Sequence, residues 1–163
     1  MPWIQNVSLD HVRSGFHFDA GPNSMLIQIV DCAMTFPVTK YAFKEVHQFT
    51  FMDAERDSKE IIEEAKCQPE QAEALVNLLK HALNNRMNVV VHCVGGLCRS
   101  GAVVEVGIIM GFQDTEVHRS PNLLVKHLMM KTLGLTYDEN EPYTLNGHPF
   151  KYDEHGSRIW LAE

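Results

Sequence analysis

Short apolar runs and longer helical stripes alternate along this chain. The runs at residues 3–7, 25–30 and 89–91 predict strands, and the last, three consecutive valines, is typical of a central strand buried on both faces. A fourth strand is predicted over residues 46–51, where two phenylalanines stand two positions apart, and Asp53 falls at its end or just beyond it. These four segments are the candidate sheet.

Helical periodicity separates the predicted strands. A stripe of apolar residues three or four positions apart predicts a helix from Pro69, a favoured first helical residue, to about residue 84. Asp57 followed by Glu60 resembles a capping box and predicts a shorter helix that ends near Lys66. Strands that alternate with helices predict an α/β fold, with a central, mainly parallel sheet flanked by helices.

Two further helices are predicted downstream. Residues 102–112 are apolar enough for a buried helix. The last helix is expected to begin near Pro121-Asn122, with Ser120 as its N-cap, and to stop at Gly134.

The residues after the last helix, 135–163, are polar and acidic. Asn146-Gly147 favours a hairpin turn in this tail, whereas Pro149 disfavours a strand there. The chain contains no internal repeat and no linker-like composition, so we expect one domain over residues 1–163 with 135–163 as a C-terminal extension.

Composition and charge narrow the class of protein. The chain has 163 residues, 45% of them hydrophobic and 21% charged, as expected for a globular domain. A net charge of −7 argues against a nucleic acid or an anionic membrane as partner. No apolar run approaches the ~20 residues of a membrane span, and we expect a cytoplasmic protein. The four cysteines follow neither a disulfide nor a zinc pattern, so no metal and no cofactor is expected.

The segment between the valine run and the apolar helix carries the candidate chemistry. A strand, a loop with glycines and a helix N-terminus together form a cradle for an anion, since backbone N–H groups and the helix dipole converge there. Gly95 and Gly96 permit close approach of the backbone. Cys93 opens the loop and Arg99 follows six positions later, which places a nucleophilic sulfur and a planar guanidinium around the same anion.

These residue types suit phosphoryl transfer. A thiol at a helix N-terminus beside a guanidinium loses its proton easily, so Cys93 would attack phosphorus as a thiolate. Arg99 would bind two phosphoryl oxygens and stabilise the transition state, and Ser100 could donate a hydrogen bond to the departing sulfur. The backbone of the loop would bind the phosphate through Val94, Gly95, Gly96, Leu97, Cys98 and Arg99.

The loop also resembles a known signature. His92-Cys93-x5-Arg99-Ser100 resembles the His-Cys-x5-Arg-Ser/Thr motif of the protein tyrosine phosphatase superfamily, with Gly96 at the family's usual glycine position. The short chain and the distant upstream acid resemble the dual-specificity branch, in the style of its small bacterial and phage members. The sequence Arg119-Ser120-Pro121-Asn122 is similar to that branch's downstream Pro-Asn helix, and the resemblance covers about residues 25–133.

The resemblance implies hydrolysis of phosphotyrosine, with phosphoserine and phosphothreonine as further candidates, through a phosphocysteine on Cys93. The partner would be a phosphorylated protein or peptide. An aspartate on a mobile loop would be the general acid. Asp53, forty residues before Cys93, is the preferred candidate, and Asp57 is the alternative, although Asp57 also suits a helix N-cap. His92 would order the loop by hydrogen bonding, and Asn122 would be a supporting residue.

Cys98 has a second resemblance. The spacing Cys-x4-Cys-Arg-Ser also occurs in the low-molecular-weight tyrosine phosphatases, which implies a reversible Cys93–Cys98 disulfide that would protect the nucleophile from overoxidation. The alternative is a small buried residue under the loop. The sequence does not decide between the two.

Other functions are compatible with the same loop. The five residues between Cys93 and Arg99 include no lysine or arginine, which argues against a highly charged inositol phosphate or RNA triphosphate substrate. A phospho-residue-binding module without turnover would keep the loop but lack a placed acid. Sulfur or arsenate chemistry on Cys93 is a third interpretation. The oligomeric state is not predicted.

Overall fold

The computed structural model describes residues 1–15 and 19–162 as an α/β fold. Its main sheet has five strands in the order β3-β2-β4-β1-β5, and all of its pairings are parallel. The strands are β1 (Trp3–Val7), β2 (Ser24–Val30), β3 (Glu45–Thr50), β4 (Asn88–His92) and β5 (Gln113–Asp114). The helices are α1 (Leu9–Ser14), α2 (Pro69–Asn84), α3 (Arg99–Met110) and α4 (Leu123–Thr132).

The central strands β2 and β4 are buried on both faces of the sheet, as the valine run predicts for β4. Val89 and Val91 of β4 belong to a core cluster shared with α2, α3 and α4. Val90 points the other way, into a second cluster with Val12 of α1 and the partly buried Tyr41. The side-chain period of two along a strand produces this division. The predicted central parallel sheet flanked by helices is confirmed.

Parallel pairing brings the carboxyl ends of the strands to one edge. In the register of the sheet, Val7 of β1 pairs with His92 of β4, and Gln28 of β2 pairs with the same histidine. The residues that follow these strands therefore share that edge, among them Asp31 after β2 and Cys93 after β4. In open parallel sheets this edge is where ligands bind.

The predicted helix boundaries are right for α2 and three residues late for α3. Pro69 is the first residue of α2, behind a capping box formed by Gln68 and Gln71. The helix α3 begins at Arg99 rather than at residue 102, because the Ala102 N–H already donates to the Cys98 carbonyl at 2.9 Å. Arg99 and Ser100 therefore lie in the first turn of a helix.

The helix predicted from Asp57 to about Lys66 is wrong. Only a single 3-10 turn, Glu63–Ala65, forms in that fully described segment. A helix there would need an apolar face to bury, and Ile62 instead remains 70% exposed. Ser58, which accepts a hydrogen bond from the Glu55 N–H, closes a turn rather than opening a helix.

The predicted N-cap of the last helix is also wrong. The helix α4 begins at Leu123, and Asn122 is its N-cap, with a side-chain oxygen that accepts from the Val125 N–H at 3.0 Å. Ser120 lies too far upstream to cap the helix. Its hydroxyl donates instead to the Thr144 carbonyl.

The C-terminal residues form a small antiparallel sheet, called here the tail sheet: β6 (Tyr143–Leu145), β7 (His148–Tyr152) and β8 (Arg158–Trp160). The predicted turn at Asn146-Gly147 is confirmed, since both residues have positive φ, 53° and 79°. Pro149 is tolerated in β7 because it lies one residue beyond the last pair with β8, so the N–H that it lacks is not needed there. Among the helices of the described residues, none is both long and apolar enough to cross a membrane.

Candidate active site

The loop between β4 and α3, residues 93–98, is called here the phosphate loop. Cys93 is 2% exposed, and its Sγ lies 3.2 Å from the Ser100 Oγ. The Gly96 N–H donates to the same sulfur at 3.2 Å. One backbone N–H of the loop therefore donates to the sulfur, and the hydroxyl of Ser100, in the first turn of α3, lies within hydrogen-bonding distance of it.

Gly96 is required by the geometry of this loop. Its φ is +76°, and a Cβ at this position would lie 2.5 Å from both the Val7 carbonyl carbon and the Ser8 nitrogen. Gly95, by contrast, has open space around it. The close backbone approach expected for the glycines applies to Gly96 alone of the pair.

The carbonyl oxygens of the phosphate loop are held from outside. The Asn6 side chain donates to the Gly96 carbonyl at 2.7 Å, and the Leu9 N–H donates to the Val94 carbonyl at 3.1 Å. On the other side, the backbone N–H groups of Ser120 and Asn122, just before α4, donate to the carbonyls of Leu97 and Cys98 at 3.0 and 2.9 Å. Four carbonyls of the loop thus accept hydrogen bonds from outside it, and the Gly96 N–H points inward to the Cys93 sulfur, which is the backbone arrangement expected of an anion cradle.

Arg99 is fixed by two acceptors and keeps one donor unused. Its Nη1 donates to Asp31 at 2.7 Å and to the Phe51 carbonyl at 2.8 Å, and its side chain is 5% exposed. Its Nε is buried and has no hydrogen-bond partner among the described residues. An unpaired buried donor costs about 1–3 kcal/mol, which a bound anion would recover.

Asp31 is a site residue that no local motif identifies. It follows β2, the neighbour of β4, so the parallel sheet brings its carboxylate to the edge where Cys93 emerges. The only sequence signal is an acid at the carboxyl end of a buried strand. Its ion pair with Arg99 orients the guanidinium.

His92 lies under the loop rather than in the cradle. Its Nδ1 is 2.9 Å from the Cys93 carbonyl, and the ring is buried. Burial lowers the pKa of His92, and the charge of Arg99 lowers it further, whereas the hydrogen bond to the carbonyl acts in the opposite direction. A neutral imidazole that donates from Nδ1 to the carbonyl fits these surroundings.

Asp53 and Asp57 lie in the segment called here the acid loop, residues 51–58. Both are exposed and line one cavity of about 810 Å³, whose wall also includes Cys98 of the phosphate loop. Asp53 is in addition tied to Asn122, whose Nδ2 donates to its Oδ1 at 2.9 Å. The N-cap residue of α4 thus also holds the preferred acid candidate.

Cys98 has a protonated thiol near neutral pH. Burial raises the pKa of Cys98 to about 12, and the negative charges of Asp53 and Cys93 act in the same direction. All four cysteines are free. The Cys93–Cys98 disulfide therefore stays a prediction.

Glu55 and the tail sheet are the features that local sequence patterns missed. Glu55 is largely buried, and burial raises its pKa to about 7. Its oxygens accept hydrogen bonds at the start of α4, and Tyr143 of the tail sheet is a further partner. The tail sheet also lines the large cavity, through Tyr143, Phe150, Tyr152 and Arg158 among others. These contacts join segments about 70 to 100 residues apart, which no local pattern reports.

Comparison with known proteins gives matches in structure alone. No family model matches the chain, and no curated protein sequence matches it. The Orf virus protein OH1, described as a tyrosine phosphatase with triple substrate specificity, is similar in structure at 21% identity and a TM-score of 0.46, over 68% of this chain and 56% of the viral one. Human DUSP28 is similar at 12% identity and a TM-score of 0.48, over 86% of this chain and 85% of the human one. The chain thus spans little more than half of the viral protein.

Proposed function

We propose that this chain is a cysteine-dependent phosphatase that hydrolyses phosphate monoesters through a phosphocysteine on Cys93. The observation that carries the proposal is the unpaired buried Nε of Arg99, which directly follows a loop whose Gly96 N–H already donates to the Cys93 sulfur. A guanidinium and backbone N–H groups placed around a nucleophile are the arrangement that phosphoryl transfer requires.

In the first step the Cys93 thiolate attacks phosphorus and the bond from phosphorus to the ester oxygen breaks. Arg99 binds two of the equatorial oxygens with its Nε and Nη2, while Asp31 and the Phe51 carbonyl hold Nη1. Asp53 protonates the leaving oxygen, so the alcohol departs neutral. The product on the protein is a phosphocysteine.

In the second step water attacks the phosphocysteine and the sulfur leaves. Asp53, now ionised, accepts a proton from that water. The Ser100 hydroxyl donates to the departing sulfur, from a resting separation of 3.2 Å, and so stabilises the thiolate. Inorganic phosphate is released and the thiolate is regenerated.

The proposed substrates are phosphorylated proteins or peptides. Phosphotyrosine is the first candidate, and phosphoserine and phosphothreonine are the next. The cavity beside the loop, about 810 Å³, leaves room for more than a single side chain. The loop itself offers no lysine or arginine beyond Arg99 for extra phosphates.

The test is hydrolysis of p-nitrophenyl phosphate by the reduced protein in EDTA, beside the Cys93→Ser variant. We expect release of p-nitrophenol that survives chelation and is lost in the variant. Equal rates in the two proteins would exclude Cys93 as the nucleophile. No release by either protein from mildly acidic to neutral pH would instead favour a phospho-residue-binding module.

A further inference from the structure

Glu55 is a partly buried carboxylate two residues after Asp53, and the chemistry proposed above does not use it. Its Oε1 accepts from the Leu123 N–H at 2.7 Å, and its Oε2 accepts from the Leu124 N–H at 3.2 Å. These are the first two N–H groups of α4, which have no partner within the helix. Glu55 therefore joins the acid loop to the positive end of that helix.

The residues on either side of Glu55 are held as well. Asn122 donates to the Ala54 carbonyl at 3.0 Å through the same Nδ2 that binds Asp53. The buried ammonium of Lys66 donates to the Arg56 carbonyl at 3.0 Å. Three consecutive residues of the acid loop, 54–56, are thus fastened to the body of the protein, and the preferred acid precedes them directly.

The tail sheet completes this arrangement. Tyr143, the first residue of β6, is hydrogen-bonded to the Glu55 carboxylate. Its ring stacks on the buried Phe150 with centroids 5.6 Å apart, which fixes the direction of its hydroxyl. The hydroxyl of Ser120, just before α4, donates to the carbonyl of Thr144, the next residue of β6. The tail sheet is therefore attached to the same place as the acid loop.

Holding a loop with a carboxylate that is partly removed from water costs free energy, so we expect its position to have a function. Burying a charged group is unfavourable, and a neutral apolar side chain could pack in its place. A carboxylate, however, accepts hydrogen bonds in fixed directions from three donors at once. It converts three separate segments, the acid loop, α4 and β6, into one rigid unit, and rigid placement is what a general acid requires.

We propose that Glu55, clamped between the N-terminus of α4 and Tyr143, is a positioning residue that holds Asp53 at the leaving oxygen of the substrate. The inference rests on the proposed function, since it takes Asp53 as the general acid. It also assigns a catalytic purpose to the tail sheet, which supplies Tyr143. Glu55 also lines the large cavity, but its oxygens already accept hydrogen bonds from α4 and from Tyr143, so the inference gives it a positioning role rather than contact with the substrate.

The test compares two esters, phenyl phosphate with a poor leaving group and p-nitrophenyl phosphate with a good one. A misplaced acid slows the first far more than the second, because only the poor leaving group depends on protonation. For Glu55→Gln we expect kcat to fall about tenfold to a hundredfold with phenyl phosphate and less than about threefold with p-nitrophenyl phosphate. Tyr143→Phe should show a smaller change of the same kind.

The matched controls are Glu64→Gln and Tyr41→Phe. Glu64 is an exposed carboxylate of the same chain region, and Tyr41 is a partly buried tyrosine outside the lining of the large cavity, whose hydroxyl accepts a hydrogen bond from the Gly21 N–H. Neither should change the ratio of the two rates. All proteins are assayed well below their melting temperatures. Partial unfolding would lower both rates equally and would leave their ratio unchanged, so a change in the ratio reports a misplaced acid rather than a loss of folded protein.

Asp53→Asn, measured in parallel, separates the inference from the proposed function. A steep loss with phenyl phosphate in Asp53→Asn and an unchanged ratio in Glu55→Gln would overturn the inference and leave the function intact. The opposite pattern would make Glu55 itself the acid and also overturn the inference. If neither ester is hydrolysed by the unmodified chain, the proposed function fails and the positioning role fails with it.

Discussion

The phosphate loop and the acid loop meet at one cavity, but they are held in different ways. The phosphate loop is held by its backbone: its carbonyls accept hydrogen bonds from outside, and Gly96 packs directly on the backbone of β1. The acid loop is held by side chains from distant segments, chiefly Asn122, Lys66 and the Glu55–Tyr143 pair. A backbone change should therefore damage the first loop most, and a side-chain change should misplace the second.

The largest effect that sharpens this contrast is expected from Gly96→Ala. The added methyl group would lie 2.5 Å from backbone atoms of β1 at a φ of +76°, so the loop must move away from the cradle geometry. We expect activity to fall at least about a hundredfold, since displacements near 1 Å cost that much. Gly95→Ala, with open space around the new methyl group, is the control and should retain most of the activity. Equal effects of the two changes would contradict the backbone account of the loop.

An effect of comparable size separates the two acid candidates. Asp53→Asn should lower kcat with phenyl phosphate by about 10²–10⁴-fold, the usual contribution of proton transfer. Asp57→Asn should change the rate much less, since Asp53 alone of these two is tied to Asn122 by a described hydrogen bond. A larger loss for Asp57→Asn would transfer the role to that residue.

A smaller effect concerns the orientation of Arg99. Asp31→Asn removes the charge that holds Nη1 but keeps an acceptor in place, and the Phe51 carbonyl bond remains. We expect KM for the phosphate ester to rise and kcat/KM to fall about tenfold, as for the loss of one charge-assisted hydrogen bond. Asp10→Asn, an exposed aspartate of α1, is the control. An unchanged kcat/KM in Asp31→Asn would mean that the Phe51 carbonyl and the loop suffice to orient Arg99.

The pH dependence of stability tests the burial of Glu55. Its pKa rises from an ordinary 4.5 to about 7 on folding, so the folded chain binds this proton more tightly than the unfolded chain. The resulting stabilisation is fully present below pH 4.5 and is lost as pH rises through 7, and at about 1.4 kcal/mol per unit it amounts to at most about 3 kcal/mol. Urea unfolding of the unmodified chain and of Glu55→Gln should therefore converge or cross between pH 5 and 8. A pH-independent difference between the two would contradict the shift.

The smallest change in activity is expected for Cys98→Ser under reducing conditions. With a pKa of about 12, its thiol does not compete with Cys93 as a nucleophile, so Cys98→Ser should retain near-full activity under reducing conditions. After mild peroxide the unmodified chain should lose the mass of two hydrogens as a Cys93–Cys98 disulfide forms, and the variant should not. If Cys93 reaches higher oxides at the same rate in both proteins, the disulfide proposal is wrong.

The same division between the loops explains what the sequence could and could not predict. Cys93, Gly96 and Arg99 lie in one contiguous motif, so their spacing along the chain is enough to predict the loop. The neighbouring strand of three valines could be predicted in the same way from its local pattern. The helix predicted from Asp57 to Lys66 does not form. A local capping pattern is not sufficient where the segment has no apolar face to bury against the protein. The predicted N-cap of α4 was wrong by two residues. Ser120 and Asn122 are both favourable N-cap residues, and tertiary contacts determine which of them caps the helix.

The missed residues share one property. Asp31, Glu55 and Tyr143 reach the site through the order of strands in the sheet and through the docking of the tail sheet. Their partners are 68 or more residues away along the chain. No periodicity or spacing in a single sequence indicates contacts between such distant residues. Asp31 alone of the three had a sequence signal, its position at the end of a predicted buried strand.

The most direct test of the central claim is to trap the covalent intermediate. Asp53→Asn, which should slow the second step, is mixed with p-nitrophenyl phosphate and quenched in acid, and its peptides are analysed by mass spectrometry. We expect one phosphoryl group on the peptide that contains Cys93, and none in a Cys93→Ser, Asp53→Asn double variant. Turnover of the substrate with no phosphoryl group on Cys93 at any quench time, or with the group on another residue, would contradict a phosphocysteine mechanism.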